Sequence, residues 1–431
     1  MSRRVAYLNA RLLDPASGLD AIGALLVEDG RIADLGADLF RDGVPEGIEQ
    51  VDCEGACLAP GLVDLRVQLR EPGEEHKETI DTASRAAAAG GVTAMACLPN
   101  TDPPVDDVAV VEFIARRARE VKLVKVFAYG SVTRGLRGEQ LTEIGLLKEA
   151  GAVGFTDGLK AVADARVMRR ALAYARGLGA LVIQHPEEPS LARDGAMNEG
   201  ELSMRLGLTG IPPAAEAILL ERDMRLVALA GARYHAAHVS TAEGIEVIRA
   251  AKRRGLPVTC DTAPHYFTLN EQAVDGYRTF AKVSPPLRSE DDRLAVVEAI
   301  ADGTIDAIAS DHAPHDQESK RLPFAQAEPG IVGLETLLPL SLALHHERRI
   351  GILDLLAKLT CRPADILALP LGRLAKGAAA DLVLFDLEKS WQIEVERLRS
   401  KSKNTPFDRR HVRGEVVRTI VDGRSVYTRE A

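Results

Sequence analysis

Positive charge is not in surplus in this chain: 54 Lys and Arg face 63 Asp and Glu, a formal net charge of -9. A nucleic-acid partner is therefore not expected, because nothing is left over to neutralise phosphates. Long apolar runs are missing as well. The first 13 residues carry arginines and no secretory apolar core, and no stretch elsewhere reaches the length of a membrane span. These absences predict a cytoplasmic protein without a membrane partner. Cysteine is scarce and odd in number, and Cys53, Cys57, Cys97, Cys260 and Cys361 are scattered. That distribution fits reduced buried thiols and excludes a disulfide framework. Cys53 and Cys57 alone have a metal-like spacing, and nothing completes the motif.

What remains is an ordinary globular composition, 46% hydrophobic and 27% charged over 431 residues. That length calls for one large domain and a smaller one. Eight short apolar runs, at 62–65, 92–97, 123–129, 152–155, 181–184, 234–238, 257–260 and 305–309, alternate with helix-like stretches. The pattern predicts an α/β fold, a (β/α)8 TIM-type barrel. Alanine-rich amphipathic segments such as 84–89, 217–229 and 242–252 would form its outer ring. The doubled arginines at 116–117, 169–170 and 253–254 read as solvated helix faces.

The two ends read differently. Strands at 5–13, 24–27 and 31–35, with a turn at Asp29-Gly30, are matched by strands at 381–386, 417–421 and 424–427, with a turn at Asp422-Gly423. The expectation is one small β-sandwich domain built from residues 1–57 and 366–431, around a barrel of residues 58–365. Residues 400–408, polar and proline-bearing, read as a loop.

A parallel barrel keeps its chemistry at the carboxyl ends of its strands. Those ends carry Asp64-Leu65-Arg66-Val67-Gln68-Leu69-Arg70-Glu71-Pro72-Gly73, then Pro99-Asn100-Thr101, Phe155-Thr156-Asp157-Gly158, Gln184-His185-Pro186-Glu187, His238-Val239-Ser240-Thr241 and Ser310-Asp311-His312-Ala313-Pro314-His315. Further segments are Ala263-Pro264-His265-Tyr266, Pro285-Pro286-Leu287-Arg288 and Gly330-Ile331-Val332-Gly333-Leu334-Glu335. In this order the series resembles the class I dihydroorotases of the amidohydrolase superfamily, cyclic amidohydrolases of pyrimidine biosynthesis. The match runs through nearly the whole chain.

The resemblance implies a zinc site made by a His-x-His pair after the first strand, an aspartate after the fourth, single histidines after the fifth and sixth, and an aspartate after the eighth. His185, His238 and Asp311 match the last three. The His-x-His positions hold Arg66 and Gln68, which are not useful zinc ligands, and the second carboxylate after the fourth strand has become Gly158. Arg66 is expected to pair with Asp311 in place of the ion. Arg70, Asn100 and His315 match the family's dihydroorotate-binding positions, and Pro329 and Gly330 its backbone contacts. Ser284 stands where many relatives have asparagine.

Without the resemblance, His185 and His238 would read as satisfied core histidines and Asp311 as an ion-paired strand-end carboxylate. His265 reads as structural, His76 and the His345-His346 pair as exposed, and Lys160 as a loop cation. The functional expectation is a dihydroorotase-like protein without a cofactor, catalytically inactive or impaired. It would serve as a scaffold for aspartate carbamoyltransferase, as some relatives lacking the His-x-His pair do, and would associate with itself. The alternative is an active dihydroorotase with one zinc ion on His185, His238 and Asp311, in which Asp311 shuttles the proton. A third option is an amidohydrolase with a changed substrate.

Overall fold

The computed structural model describes residues 3–429; Met1, Ser2, Glu430 and Ala431, the outer ends of the two expected terminal segments, lie outside them. The central region is a mixed α/β arrangement of parallel strands. Leu62–Val67 pairs with Val92–Cys97, and that strand with Lys125–Ala128. Gly130 then bridges Phe155, which bridges Val182. Leu181–Gln184, Arg233–Ala236, Val258–Thr262 and Ala307–Ile308 follow in parallel register. A parallel bridge between His312 and Val67 returns the pairing to the first strand.

The fourth apolar run makes no regular strand. Its backbone still bonds both neighbours, Val153 N donating to Ala128 O and Phe155 N to Leu181 O. Gly154 gives it this closeness, because a Cβ there would lie 3.1 Å from the Tyr129 ring and 3.2 Å from Ile183.

The helices form for local reasons and bury one stripe. In Ala165–Leu178 the Asp164 side chain accepts from Arg166 N and Val167 N, and Gly179 closes the helix at φ +62°. Met168, Ala171, Leu172 and Ala175 are its buried residues, at helical spacing. Alanine and aliphatic side chains from inside the strands, including Leu65, Ala96, Ile183, Ala237, Ala307 and Ala309, form a separate inner cluster with Tyr129.

Both termini contribute to one sheet. Its order is Arg424–Thr428, His411–Val421, Leu382–Gln392, Cys57–Pro60, Arg4–Asp14, Leu19–Glu28 and Arg31–Gly36, with Glu49–Asp52 also on Arg4–Asp14. Val5, Tyr7, Leu12, Leu25, Leu58, Leu382, Leu384 and Ile420 pack into a core of their own. Two strands escape the sequence pattern: Glu49–Asp52, polar but for Val51 and exposed or half-buried, and Cys57–Pro60, which is continuous with the first parallel strand. Gly61 joins that pair, and only glycine fits: a Cβ would lie 2.1 Å from Thr93 Cγ2.

All five cysteines are free and buried. Two surface expectations need correction. His345 and His346 are half-buried, and His345 Nδ1 lies 3.2 Å from Ile350 O. Arg117 does more than solvate a helix face, because its Nε donates at 2.8 Å to buried Glu71, whose other oxygen accepts from Ile80 N at the start of the helix Ile80–Ala89.

Candidate functional site

The register of the first parallel strand is irregular between Asp64 and Val67. A regular strand would turn Leu65 and Arg66 to opposite faces. Here both line the interior, together with Leu98, Tyr129, Ile183, His235, Ala237 and Asp261. Arg66 is 2% exposed. Its Nε donates to Asp311 Oδ1 at 2.8 Å and its Nη2 to Gly158 O at 3.3 Å. The guanidinium thus joins the ends of the first, fourth and eighth runs.

His185, His238 and Asp311 do come together, with different partners from those a metal would require. His185 Nδ1 lies 2.7 Å from His238 Nε2, so the two rings share a hydrogen bond. His238 Nδ1 is 3.7 Å and His265 Nε2 3.8 Å from Asp311 Oδ2. Burial, reinforced by Arg66 and His185, pushes the His238 imidazole well below its ordinary range. Burial likewise lowers His265 to about 4. Both rings are neutral at pH 7. His238 Nδ1 and both His265 nitrogens are buried without a hydrogen-bond partner. His238 and Asp311 take positive φ, at 41° and 49°, a backbone strain that non-glycine residues accept mainly at functional or over-determined positions.

After the fourth run, Asp157 accepts from Thr133 N at 2.9 Å and from Thr133 Oγ1, a loop role away from the histidines. Gly158 follows at φ +70°, with Asn100 in ordinary contact range of any Cβ placed there. Lys160 is exposed.

Of the positions expected to bind dihydroorotate, Arg70, His315, Pro329 and Gly330 meet one another, while Asn100 contacts Gln68. Arg70, at φ +61°, is buried; its Nε donates to Pro314 O at 3.1 Å and its Nη1 to Glu74 at 2.8 Å, and Nη2 lies 3.0 Å from His315 Nε2. His315 is lowered to about 2 by burial and by Arg70, Lys320 and Lys77, so its neutral ring can accept from Arg70. Asn100 Nδ2 donates at 3.0 Å to Gln68 Oε1. Pro329 O lies 3.1 Å from His315 Nε2. Gly330 takes φ +138° against Ala313 and His315, and its N donates to Lys282 O.

Three contributors were not legible in the sequence. Asn404, from the loop read at 400–408, is buried beneath this site; its amide donates to Ala313 O and Gly330 O, and its carbonyl accepts from His315 N. Glu187 sits 3.7 Å from His185 Nε2; against the upward push of burial, His185 and Arg288 hold its carboxyl below the usual range. Asp261 anchors the sixth strand end, accepting from His238 N and lying 2.8 Å from His235 Nε2. Asn404 and Asp261 stand outside the strand-end motifs and act through contacts far away in sequence; Glu187 stands within one, beside His185, and its distant partner is Arg288.

A zinc ion held in the family's manner does not fit this donor set. The nearest side chains to Asp311 include a guanidinium in hydrogen-bonding contact, which repels a dication. The facing nitrogens of His185 and His238 are spent on one another. Among the described residues, no three His, Cys, Asp or Glu side chains gather in metal-binding geometry.

Comparison with known proteins places the chain in context. A family model described as Dihydro-orotase-like matches residues 55–244. The chain is 50% identical over 432 residues to a protein named Dihydroorotase from Anaplasma phagocytophilum, covering 99% of this chain and 96% of that one. It is 49% identical over 421 residues to one of the same name from Pelobacter propionicus, covering 98% and 99%. Among solved structures, L-hydantoinase (dihydropyrimidinase) from Arthrobacter aurescens superposes with a TM-score of 0.88 at 26% identity, over 99% of this chain and 96% of that one. Dihydropyrimidinase from Brevibacillus agri, at 22% identity and a TM-score of 0.84 over 99% and 95%, shares the fold. The order of its strand-end motifs and its half-identity over full length to named dihydroorotases together make this chain a member of the dihydroorotase family of amidohydrolases.

Proposed function

We propose that this chain is a dihydroorotase-family protein of pyrimidine biosynthesis that does not carry out zinc-dependent ring hydrolysis, and that it acts as a scaffold for aspartate carbamoyltransferase. The observation that carries the first part is the buried contact between Arg66 Nε and Asp311 Oδ1 at 2.8 Å. The pair supplies internally the positive charge that a metal would otherwise bring to Asp311. His185, His238 and Asp311 are on this reading a remnant of the family's ligand set, with Arg66, Gln68 and Gly158 as the replacements. Arg70, Asn100, His315 and the backbone of Pro329 and Gly330 are a remnant anion pocket.

The parallel strands are read as a closed (β/α)8 barrel over residues 58–365. The terminal sheet, with its separate core, is read as a β-sandwich-like domain of residues 1–57 and 366–431. Among the described residues no helix is long and apolar enough to cross a membrane, which agrees with a scaffold working beside a soluble enzyme. The scaffold role itself rests on the resemblance to relatives that have lost the His-x-His pair.

A second reading is favoured by the names of the relatives: half-identity to proteins called Dihydroorotase argues for turnover in this chain too. It requires Arg66 to release Asp311. One preparation separates the two. Zinc measured by atomic emission and dihydroorotate turnover should both be absent from the purified chain. Stoichiometric zinc with activity that is lost in His185→Ala would overturn the proposal. Size-exclusion chromatography with the carbamoyltransferase tests the scaffold role, and two independently eluting proteins would end it.

A further inference from the structure

Basic side chains gather around the remnant anion pocket. Arg70, Lys77 and Lys320 all bear electrostatically on His315, and Lys282 bears on Lys320. Lys282 and Lys320 are buried and spend their ammonium hydrogens on backbone carbonyls: Phe324, Ala325 and Ala327 for the first, Glu328 and Gly330 for the second. Such contacts satisfy hydrogen bonding, while burial, reinforced by Lys282, pushes Lys320 down to about 7, so that it carries only part of its charge at neutral pH. Three carboxylates face these four basic groups: Glu74, Asp316, on which Lys77 also bears, and the Glu328 side chain on an exposed residue. The cluster is close to charge balance, so an incoming anion enters by displacing a resident one.

Arg70 cannot admit one by moving aside. Its backbone is left-handed, its side chain is 5% exposed, and Pro314 O and His315 Nε2 hold two of its nitrogens. The third, Nη1, meets Glu74 Oε2 at 2.8 Å. Glu74 differs from the other partners: its side chain is 30% exposed, and Lys77 Nζ also contacts its second oxygen, so it has somewhere to go when Arg70 is taken. His315 Nδ1 is buried and has no partner whichever nitrogen carries the proton, which leaves one polar atom of the pocket unused.

We propose that Glu74 is an internal competitor for Arg70: the pocket takes a small organic carboxylate, and it does so by expelling the Glu74 carboxylate from the Nη1 edge. This rests on the pocket reading given under the proposed function and adds to it an occupant supplied by the chain itself. Exchange of one carboxylate for another conserves charge at Arg70, so the free chain binds weakly and removal of Glu74 raises affinity.

The test uses dihydroorotate as the carboxylate probe and dihydrouracil, the same ring without the carboxylate, as the control. Binding is measured by calorimetry on the full chain. Glu74→Ala and the closer Glu74→Gln should each bind dihydroorotate about tenfold or more tightly than wild type, the size expected when a 1.4 kcal/mol competition is removed. Dihydrouracil should show no gain, and adding Arg70→Met to Glu74→Ala should abolish the improvement. Unchanged or weaker dihydroorotate binding in both Glu74 variants, with melting temperatures preserved, would overturn the proposal, as would equal gains for dihydrouracil. Failure of the underlying reading appears elsewhere, as zinc and turnover in the wild-type chain. The competitor claim is read only from the ratio of variant to wild-type affinity.

Discussion

At the scale of single residues the site is governed by what a buried charge or ring finds beside it. Arg66 and Asp311 are nearly sequestered, with side-chain exposures of 2% and 9%, so removing one partner strands the other. Arg66→Met should cost about 3–5 kcal/mol in urea unfolding. Arg66→Met combined with Asp311→Asn should recover most of that, because no uncompensated charge is left and asparagine tolerates the positive φ of position 311. Strict additivity of the two changes would show that the residues do not interact. His265 makes a second case. Its folded pKa of about 4, set by burial, lies below the ordinary 6.5. As pH falls through 6.5 the unfolded chain takes a proton that the folded one refuses. Stability is therefore lost between pH 6.5 and 4, by up to about 3 kcal/mol. His265→Phe removes this liability and two unpartnered nitrogens. Its melting temperature relative to wild type should rise on going from pH 7 to pH 4, and parallel curves would contradict the assignment.

Loops between elements meet over the strand ends, and the C-terminal loop laces them together. Ser400, Lys401 and Ser402 bind the segment after the first strand through Glu78 Oε2, Glu78 Oε1 and Lys77 O. Glu335 accepts from Arg399 N and Ser400 N. Asn404 does the same for the segment after the eighth run through Ala313, His315 and Gly330. Asn404→Ala would leave Ala313 O and His315 N without this partner, Gly330 O keeping Lys320 Nζ, at a cost of about 3 kcal/mol. Hydrogen exchange should accelerate across residues 313–330, while the helix Ala165–Leu178 keeps its protection. Uniform acceleration everywhere would show that Asn404 stabilises the whole fold and not this loop.

Over the whole molecule, the terminal sheet and the parallel strands share backbone continuity through Gly61 and a polar clasp at Lys125. That ammonium pairs with Asp381 and lies 2.9 Å from Asp422, both in or beside strands of the C-terminal half of the sheet. Burial lowers its pKa, and the two carboxylates more than offset this, raising it above the ordinary value. Lys125→Met should destabilise the chain by about 2 kcal/mol, less than for a fully sequestered pair because Lys125 is partly solvated. Guanidinium unfolding measures the loss. A change within a few tenths of a kcal/mol would mean that the sheet is held by its apolar contacts alone.

The family was legible in the sequence because it is written in local order: strand-end motifs survive as contiguous letters, and apolar runs at even spacing announce alternating strands and helices. Arg66, Gln68 and Gly158 could be set against the ligand positions that the resemblance implies for the same reason. The strands of the terminal sheet came out short, 123–129 and 305–309 came out long against Lys125–Ala128 and Ala307–Ile308, and Glu49–Asp52 and Cys57–Pro60 were missed, because strand pairing rewards partners far away in sequence more than local propensity. Which group each site residue touches was decided by tertiary structure alone. That the irregular first strand turns Arg66 inward onto Asp311, that two histidines bond each other, and that Asn404 meets Ala313, His315 and Gly330 follow from backbone geometry joining segments up to hundreds of residues apart. No local pattern encodes such distances, and in a low-dielectric interior it is those distances that set the energies.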